Sequence, residues 1–127
     1  MRSLLVIGAA AAVFVLFLVR NEREARETAR TEDLAVERLR SLAAAPPAPP
    51  HTEGGYRFEW TQGGDLPPIL LALPEGKGIC LFAAAPGGAL YAFDLFGARA
   101  PDVTPLRIHV ARAAENPPLP PGWRLIP

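Results

Sequence analysis

Pro46-Pro47-Ala48-Pro49-Pro50-His51-Thr52-Glu53-Gly54-Gly55-Tyr56-Arg57-Phe58-Glu59-Trp60 is the stretch on which the fold turns. Before it the residues favour a helix; after it the apolar residues repeat every second position. The prolines lack the backbone donors that a helix needs, so a helix arriving from the N-terminal side stops here. Residues 46–55 then read as a Pro/Gly linker, closed by the hinge His51-Thr52-Glu53-Gly54-Gly55. From Tyr56 onward, Tyr56, Phe58 and Trp60 alternate with Arg57, Glu59 and Thr61, the pattern of a half-buried strand. The expected fold class is therefore α+β, a long N-terminal helix followed by a small antiparallel sheet of four to five strands.

Upstream, residues 21–45 form an amphipathic helix by composition. They are rich in Ala, Glu, Arg and Leu and contain neither Gly nor Pro. Glu22 and Arg26 stand in the favourable i,i+4 order, and Glu37 and Arg40 at i,i+3. The first part is polar all round. From residue 34 the residues Leu34, Val36, Leu39 and Leu42 give an apolar stripe, suited to covering the sheet or a partner's helix. A weak heptad runs through Ala25, Ala29, Glu32, Val36, Leu39 and Ala43, with a carboxylate and small residues where a coiled coil wants large apolar ones.

Further upstream, Ser3 to Val19 reads SLLVIGAAAAVFVLFLV, free of charge and bounded by Arg2 and Arg20. About 17 residues is the short limit for a helix that crosses a bilayer. Residues 1–20 are thus expected to be a transmembrane anchor. Ser3, Leu4, Leu5, Val13, Phe14, Leu16, Phe17, Leu18 and Val19 would carry the span, and membrane lipid would be its partner. A cleaved signal peptide is the competing reading. Its small-x-small positions fall at 8–12, ahead of the most apolar part, Val13–Val19, so cleavage there would leave a greasy new N-terminus. An uncleaved single-pass anchor follows, and the span is expected to run on into residues 21–45 as one helix of roughly 40 residues. The arginines after the span outnumber those before it, which by the positive-inside rule favours the C-terminal part inside.

Downstream, Ile69–Leu73, Ile79–Ala83 and Ala89–Asp94 read as short strands separated by Gly/Pro turns, one of them Pro74-Glu75-Gly76-Lys77-Gly78. Leu106, Ile108 and Val110 alternate with Arg107, His109 and Ala111 and suggest a fifth strand. The β domain is expected to cover 56–114 and a proline-rich tail 115–127. In that tail Pro117-Pro118-Leu119-Pro120-Pro121 is either laid over the domain, anchored by Trp123, or offered as a polyproline ligand.

Composition narrows the function classes. A chain of 127 residues holds at most one compact domain plus accessory segments. With 13 basic and 13 acidic residues there is no positive excess to neutralise phosphates, so a nucleic-acid partner is not expected. The single cysteine, Cys80, excludes an intramolecular disulfide. Flanked by Ile79 and Leu81, it reads as a buried thiol rather than a nucleophile. His51 and His109 belong to no ligand-spaced set, and Gly76-Lys77-Gly78 is too short for a phosphate loop. No catalytic, metal or cofactor residues are legible, so neither an enzyme nor a small-molecule binder is expected. The expected partner is a protein in a membrane-associated assembly.

The layout, with Leu39-Arg40-Ser41-Leu42-Ala43, then Gly55-Tyr56-Arg57-Phe58, then Gly87-Gly88-Ala89-Leu90-Tyr91, resembles type IV pilin-like and pseudopilin-like small bacterial membrane proteins. The resemblance implies a long N-terminal helix on an antiparallel sheet, residence in the bacterial inner membrane, and an extracytoplasmic C-terminal domain. The family's processing signal is a Gly before an aromatic or apolar residue, with Glu five positions on. Here Gly8 is followed by Ala9, and the fifth position holds Val13. Peptidase processing is therefore not expected. The resemblance implies a degenerate, non-polymerising anchor protein that serves as a structural or interaction part of an envelope assembly. A pseudopilin-like subunit of a secretion or pilus system, assembling through its N-terminal helix, is the alternative.

Overall fold

The computed structural model describes the backbone of residues 2–75 and 80–127, and the side chains of residues 22–75 and 80–127. The side chains of the expected span, the turn expected at 76–78, and Ile79 of the third expected strand lie outside the described residues. The chain forms two compact units, Met1–Thr31 and Glu32–Pro127.

Helix α1 (Arg2–Ala44) provides the whole first unit and the opening of the second, 43 residues without interruption. Its length agrees with the absence of Gly and Pro between residues 9 and 45. At its C-terminal end the Ala45 amide donates to the Leu42 carbonyl at 3.2 Å, and Pro46 prevents a further turn.

In the second unit, six strands form a meander in the order β1 (His51–Glu53), β2 (Tyr56–Trp60), β3 (Leu70–Pro74), β4 (Cys80–Ala84), β5 (Leu90–Asp94) and β6 (Trp123–Ile126). Every neighbouring pair is antiparallel. The α+β class stands, with six strands among the described residues in place of four to five. Two strands lie where none was expected. β1 occupies the end of the 46–55 linker, because Gly54 and Gly55, both at positive φ, turn the chain straight back onto β2. β6 occupies the end of the proline-rich tail. There Pro121-Gly122 makes a tight turn closed by the Trp123 amide donating to the Pro120 carbonyl at 3.2 Å. Gly122 has φ +85°, and a Cβ at this position would run into the Phe93 ring, so the turn needs glycine on both counts.

The strand expected at Leu106–Val110 is instead helix α2 (Thr104–Ala111). The Asp102 carboxylate accepts from the Thr104 amide at 3.0 Å and hydroxyl at 2.7 Å, and Pro105 stands in the first turn. The first is an Asx turn that leads the chain into the helix, and the second presets φ for its first turn; Val103, at the N-cap itself, makes no side-chain cap. Leu106 and Val110 are four apart and so share the sheet-facing side, whereas Ile108 points outward and is 40% exposed. A short 3₁₀ turn, Ala113–Glu115, ends with Asn116 in the left-handed region.

Both sheet faces are covered. One carries α1 over Tyr56, Phe58, Leu70, Phe82 and Leu90. The other carries α2 and the tail over Ile69, Leu71, Leu81, Tyr91 and Trp123. This explains a feature of the sequence. The middle strands β3 and β4 are buried on both sides and read as unbroken apolar runs, whereas β2 alternates.

Candidate functional site

The face beneath α1 carries the features that call for a functional reading. Along the helix, Glu32, Ala35, Val36, Leu39, Leu42 and Ala43 follow the i, i+3, i+4, i+7 spacing of one stripe. Ala35 and Leu39 are buried at its centre, and Val36, Leu42 and Ala43 pack beside them. Of the residues expected to cover the sheet, Val36, Leu39 and Leu42 do so. Leu34 does not: it is off the stripe and 56% exposed. Trp123 packs, as expected of a tail anchor, but on the opposite face, where its indole lies 5.2 Å from the Phe93 ring.

At the first turn of the stripe the sheet offers polar groups rather than apolar ones. The pairing register sets Cys80, the first residue of β4, opposite Asp94, the last of β5. The Cys80 thiol donates to Asp94 Oδ1 at 2.9 Å. Arg124 on β6 reaches the same carboxylate at 3.6 Å and the Cys80 sulfur at 3.9 Å. Tyr56 opens β2 and its ring lies 5.9 Å from that of Phe82, with the residue only 1% exposed. Glu32 descends into this group from the helix. Two atoms are left over: Glu32 Oε1 and the Tyr56 hydroxyl are shut off from solvent and have no hydrogen-bond partner among the described residues.

The electrostatics follow from that geometry. Burial pushes the Glu32 carboxyl above the usual carboxylate range. The neighbouring Cys80 thiol and Arg124 oppose the rise, and Asp94 and Asp33 add to it. Burial likewise raises the Tyr56 phenol, with Glu32 and Cys80 reinforcing the effect. The Cys80 thiol is pushed up to about 12, first by burial, then by its bond to Asp94 and the charge on Glu32. Cys80 is therefore a thiol and a hydrogen-bond donor at neutral pH, in keeping with the buried thiol expected of it. The cluster is suited to holding a proton on a carboxyl group.

Flanking the helix are two hollows. One, of about 350 Å³, lies between the exposed side of α1 and the β1–β2 turn, lined by Leu34, Glu37, Arg38, Glu53 and Phe58. Across it Arg38 Nε donates to Glu53 Oε2 at 2.9 Å and ties the helix to the edge strand. That contact holds the Glu53 carboxyl below its ordinary value. The other, of about 340 Å³, lies between the end of α1 and the β4–β5 turn, lined by Arg40, Ala43, Ala84, Gly88 and Leu90. No protein-family model, characterised protein or solved structure matches the chain.

Among the described residues no helix is long and apolar enough to cross a membrane. The expected span, Ser3–Val19, has its side chains outside them. Glu32, Tyr56, Asp94 and Arg124 were not legible as a group, because only the strand register brings them together. Glu32 alone had a signal: it falls on the heptad drawn through Val36 and Leu39, where a carboxylate is out of place. Arg107 was also missed. It is 8% exposed, and its guanidinium donates to the carbonyls of Gly63, Leu66 and Pro67 at 2.9–3.1 Å, fastening the β2–β3 loop to α2. One further residue stands out, Phe96, which is 81% exposed with φ +44° in the tight turn Leu95–Ala98.

Proposed function

We propose that this is a single-pass membrane-anchored, non-enzymatic protein whose small β-rich unit is a structural or interaction part of a bacterial envelope assembly. The observation that carries the reading is the charge-free run Ser3–Val19 between Arg2 and Arg20, at the start of a helix that continues unbroken to Ala44. A uniformly apolar helical stretch of this length suits lipid, and a unit of this size has too little surface to enclose it. The hollows beside α1 and the exposed Leu34 and Phe96 support an interaction role for the sheet unit.

Alkaline carbonate extraction of membranes tests the anchor. The protein is expected to stay with the membrane until detergent is added; release by carbonate alone sinks the reading. A second reading, a pseudopilin-like subunit that assembles through its N-terminal helix, draws support from one observation, the seating of α1 on an antiparallel meander. Intact mass separates the two. Full length favours the plain anchor, and loss of the first eight residues favours the pilin-like subunit. The extracytoplasmic placement of the sheet unit is tested by an impermeant thiol reagent and a cysteine introduced at exposed Phe96, which is expected to label in intact cells.

A further inference from the structure

Glu32 is the first residue of the unit Glu32–Pro127 and puts a carboxyl on the otherwise apolar stripe by which α1 sits on the sheet. We propose that Glu32 is a proton-operated latch: protonated, it keeps the first turn of the stripe seated over Tyr56 and Cys80, and ionised, it lifts that turn off the sheet. The geometry demands a choice between these states. Glu32 is half-buried, and its Oε1 is shut off from solvent with no hydrogen-bond partner among the described residues. An ionised carboxylate is costly to hold so, whereas a neutral carboxyl in the same place costs less. The groups around it offset that cost only in part: the Cys80 thiol and Arg124 favour the ionised form, but burial outweighs them. Asp33 beside it on α1 and Asp94 from β5 repel it. Tyr56 from β2 and Cys80 from β4 are neutral, and the Cys80 thiol is already bonded to Asp94. Arg124 from β6 is the cation among the described residues that acts on it, and its near contact is with Asp94 at 3.6 Å. Lys77, between β3 and β4 in the sequence, lies outside the described residues.

The sign follows from the raised carboxyl. Seating is complete below the ordinary carboxylate value and is lost as pH climbs through the raised one. The motion is local. Leu39, fully buried, and the Arg38–Glu53 bond hold the rest of the helix one to two turns on, so the helix pivots there rather than leaving the sheet.

Hydrogen exchange of the full-length protein in neutral detergent micelles reads the latch. Peptides covering residues 30–40 are compared at about pH 5 and about pH 8 after correction for intrinsic rates. The wild type is expected to lose protection at the higher pH. The loss is a factor of about ten for each pKa unit separating the seated from the released carboxyl. The Glu32→Gln variant is expected to keep its protection at both values. An equal change in the two proteins overturns the proposal. Titration of the Glu32 carboxyl by carbon NMR in the wild type gives an answer that needs no variant. A midpoint above the ordinary carboxylate range supports the latch, and one at or below it overturns it.

Discussion

The two faces of the sheet each receive a helix, and each helix turns one ionisable side chain toward the sheet, Arg107 buried and Glu32 half-buried with one oxygen shut off from solvent, yet the two are settled in opposite ways. On the α2 face, Arg107 meets three backbone carbonyls within 3.1 Å. On the α1 face, Glu32 meets a buried phenol, a thiol shared with Asp94, and Arg124 whose near contact is also with Asp94, and its Oε1 is left without a partner among the described residues. A buried charge surrounded by matched partners fastens a fold; one without them makes the fold depend on conditions. The α2 face is also closed by the tail, whereas the α1 face keeps a hollow on each side of a single helix. The difference separates a fixed, structural side from one that can respond.

Matched truncations give the largest effect by which to break this comparison. Leu39 and Leu106 are both fully buried, one at the centre of each face. Leucine-to-alanine changes in cores cost about 2–5 kcal/mol, with the lower values where the surroundings can close in. Leu106→Ala, beneath the sealed face, is expected near the upper end, and Leu39→Ala, with hollows on either side, near the lower. Urea unfolding of the two variants checks the order. Equal losses, or a larger loss for Leu39→Ala, mean that the helix face is packed as rigidly as its counterpart.

Arg107→Ala comes next. Three part-buried loop carbonyls lose their donor. A fully buried acceptor left unpaired costs on the order of 1–3 kcal/mol, and water entry at these sites lowers that. A net loss of about 2 kcal/mol is expected in the same assay, with faster proteolysis in the 61–68 loop as its local sign. A loss below about 0.5 kcal/mol, the size of a neutral surface change, would mean that the three bonds are not what fastens that loop.

How far the sequence foretold these two faces follows from what each element needed. The α1 stripe was legible because it is periodic over several turns, and β2 because its alternation is uninterrupted. Residues 104–111 misled because Leu106, Ile108 and Val110 satisfy a strand period as well as a helical one. The deciding signals, Asp102 and Pro105, lay at the boundary rather than within the run. β1 and β6 were hidden by prolines, which mark the turns feeding those strands. The polar cluster was illegible in principle, since Glu32, Tyr56, Cys80 and Asp94 are drawn from four elements and only register unites them. The grounds for a membrane anchor remain where the sequence put them, in the composition of residues 3–19.

A smaller effect is expected at Phe96. A bulky side chain at φ +44° occupies a left-handed conformation that costs roughly 1–2 kcal/mol for most residues and much less for asparagine. Phe96→Asn before Gly97 gives the pair that such turns favour. It is expected to raise stability by about 1 kcal/mol. If it does so while weakening retention of an envelope partner in a pull-down, Phe96 is held in strain for contact rather than for folding. If stability falls, the exposed ring is packing in a way that its 81% exposure hides.

The smallest change tests the responsive face most directly. Tyr56→Phe removes one hydroxyl from a ring that is otherwise buried and keeps the ring's contact with Phe82. Ordinarily, loss of a tyrosine hydroxyl costs about 1 kcal/mol because a hydrogen bond goes with it. Here the hydroxyl is buried without a partner, so the change relieves a desolvation and forfeits no bond. A gain of about 0.5–1 kcal/mol is expected, read by urea unfolding at a pH below the ordinary carboxylate value, where the raised Glu32 carboxyl is protonated and the helix turn seated. A loss of similar size in that assay would show that the phenol does have a partner. The protonated Glu32 carboxyl or a bridging water between the two atoms would then close the network, and the contrast between the faces would shrink to one of solvent access.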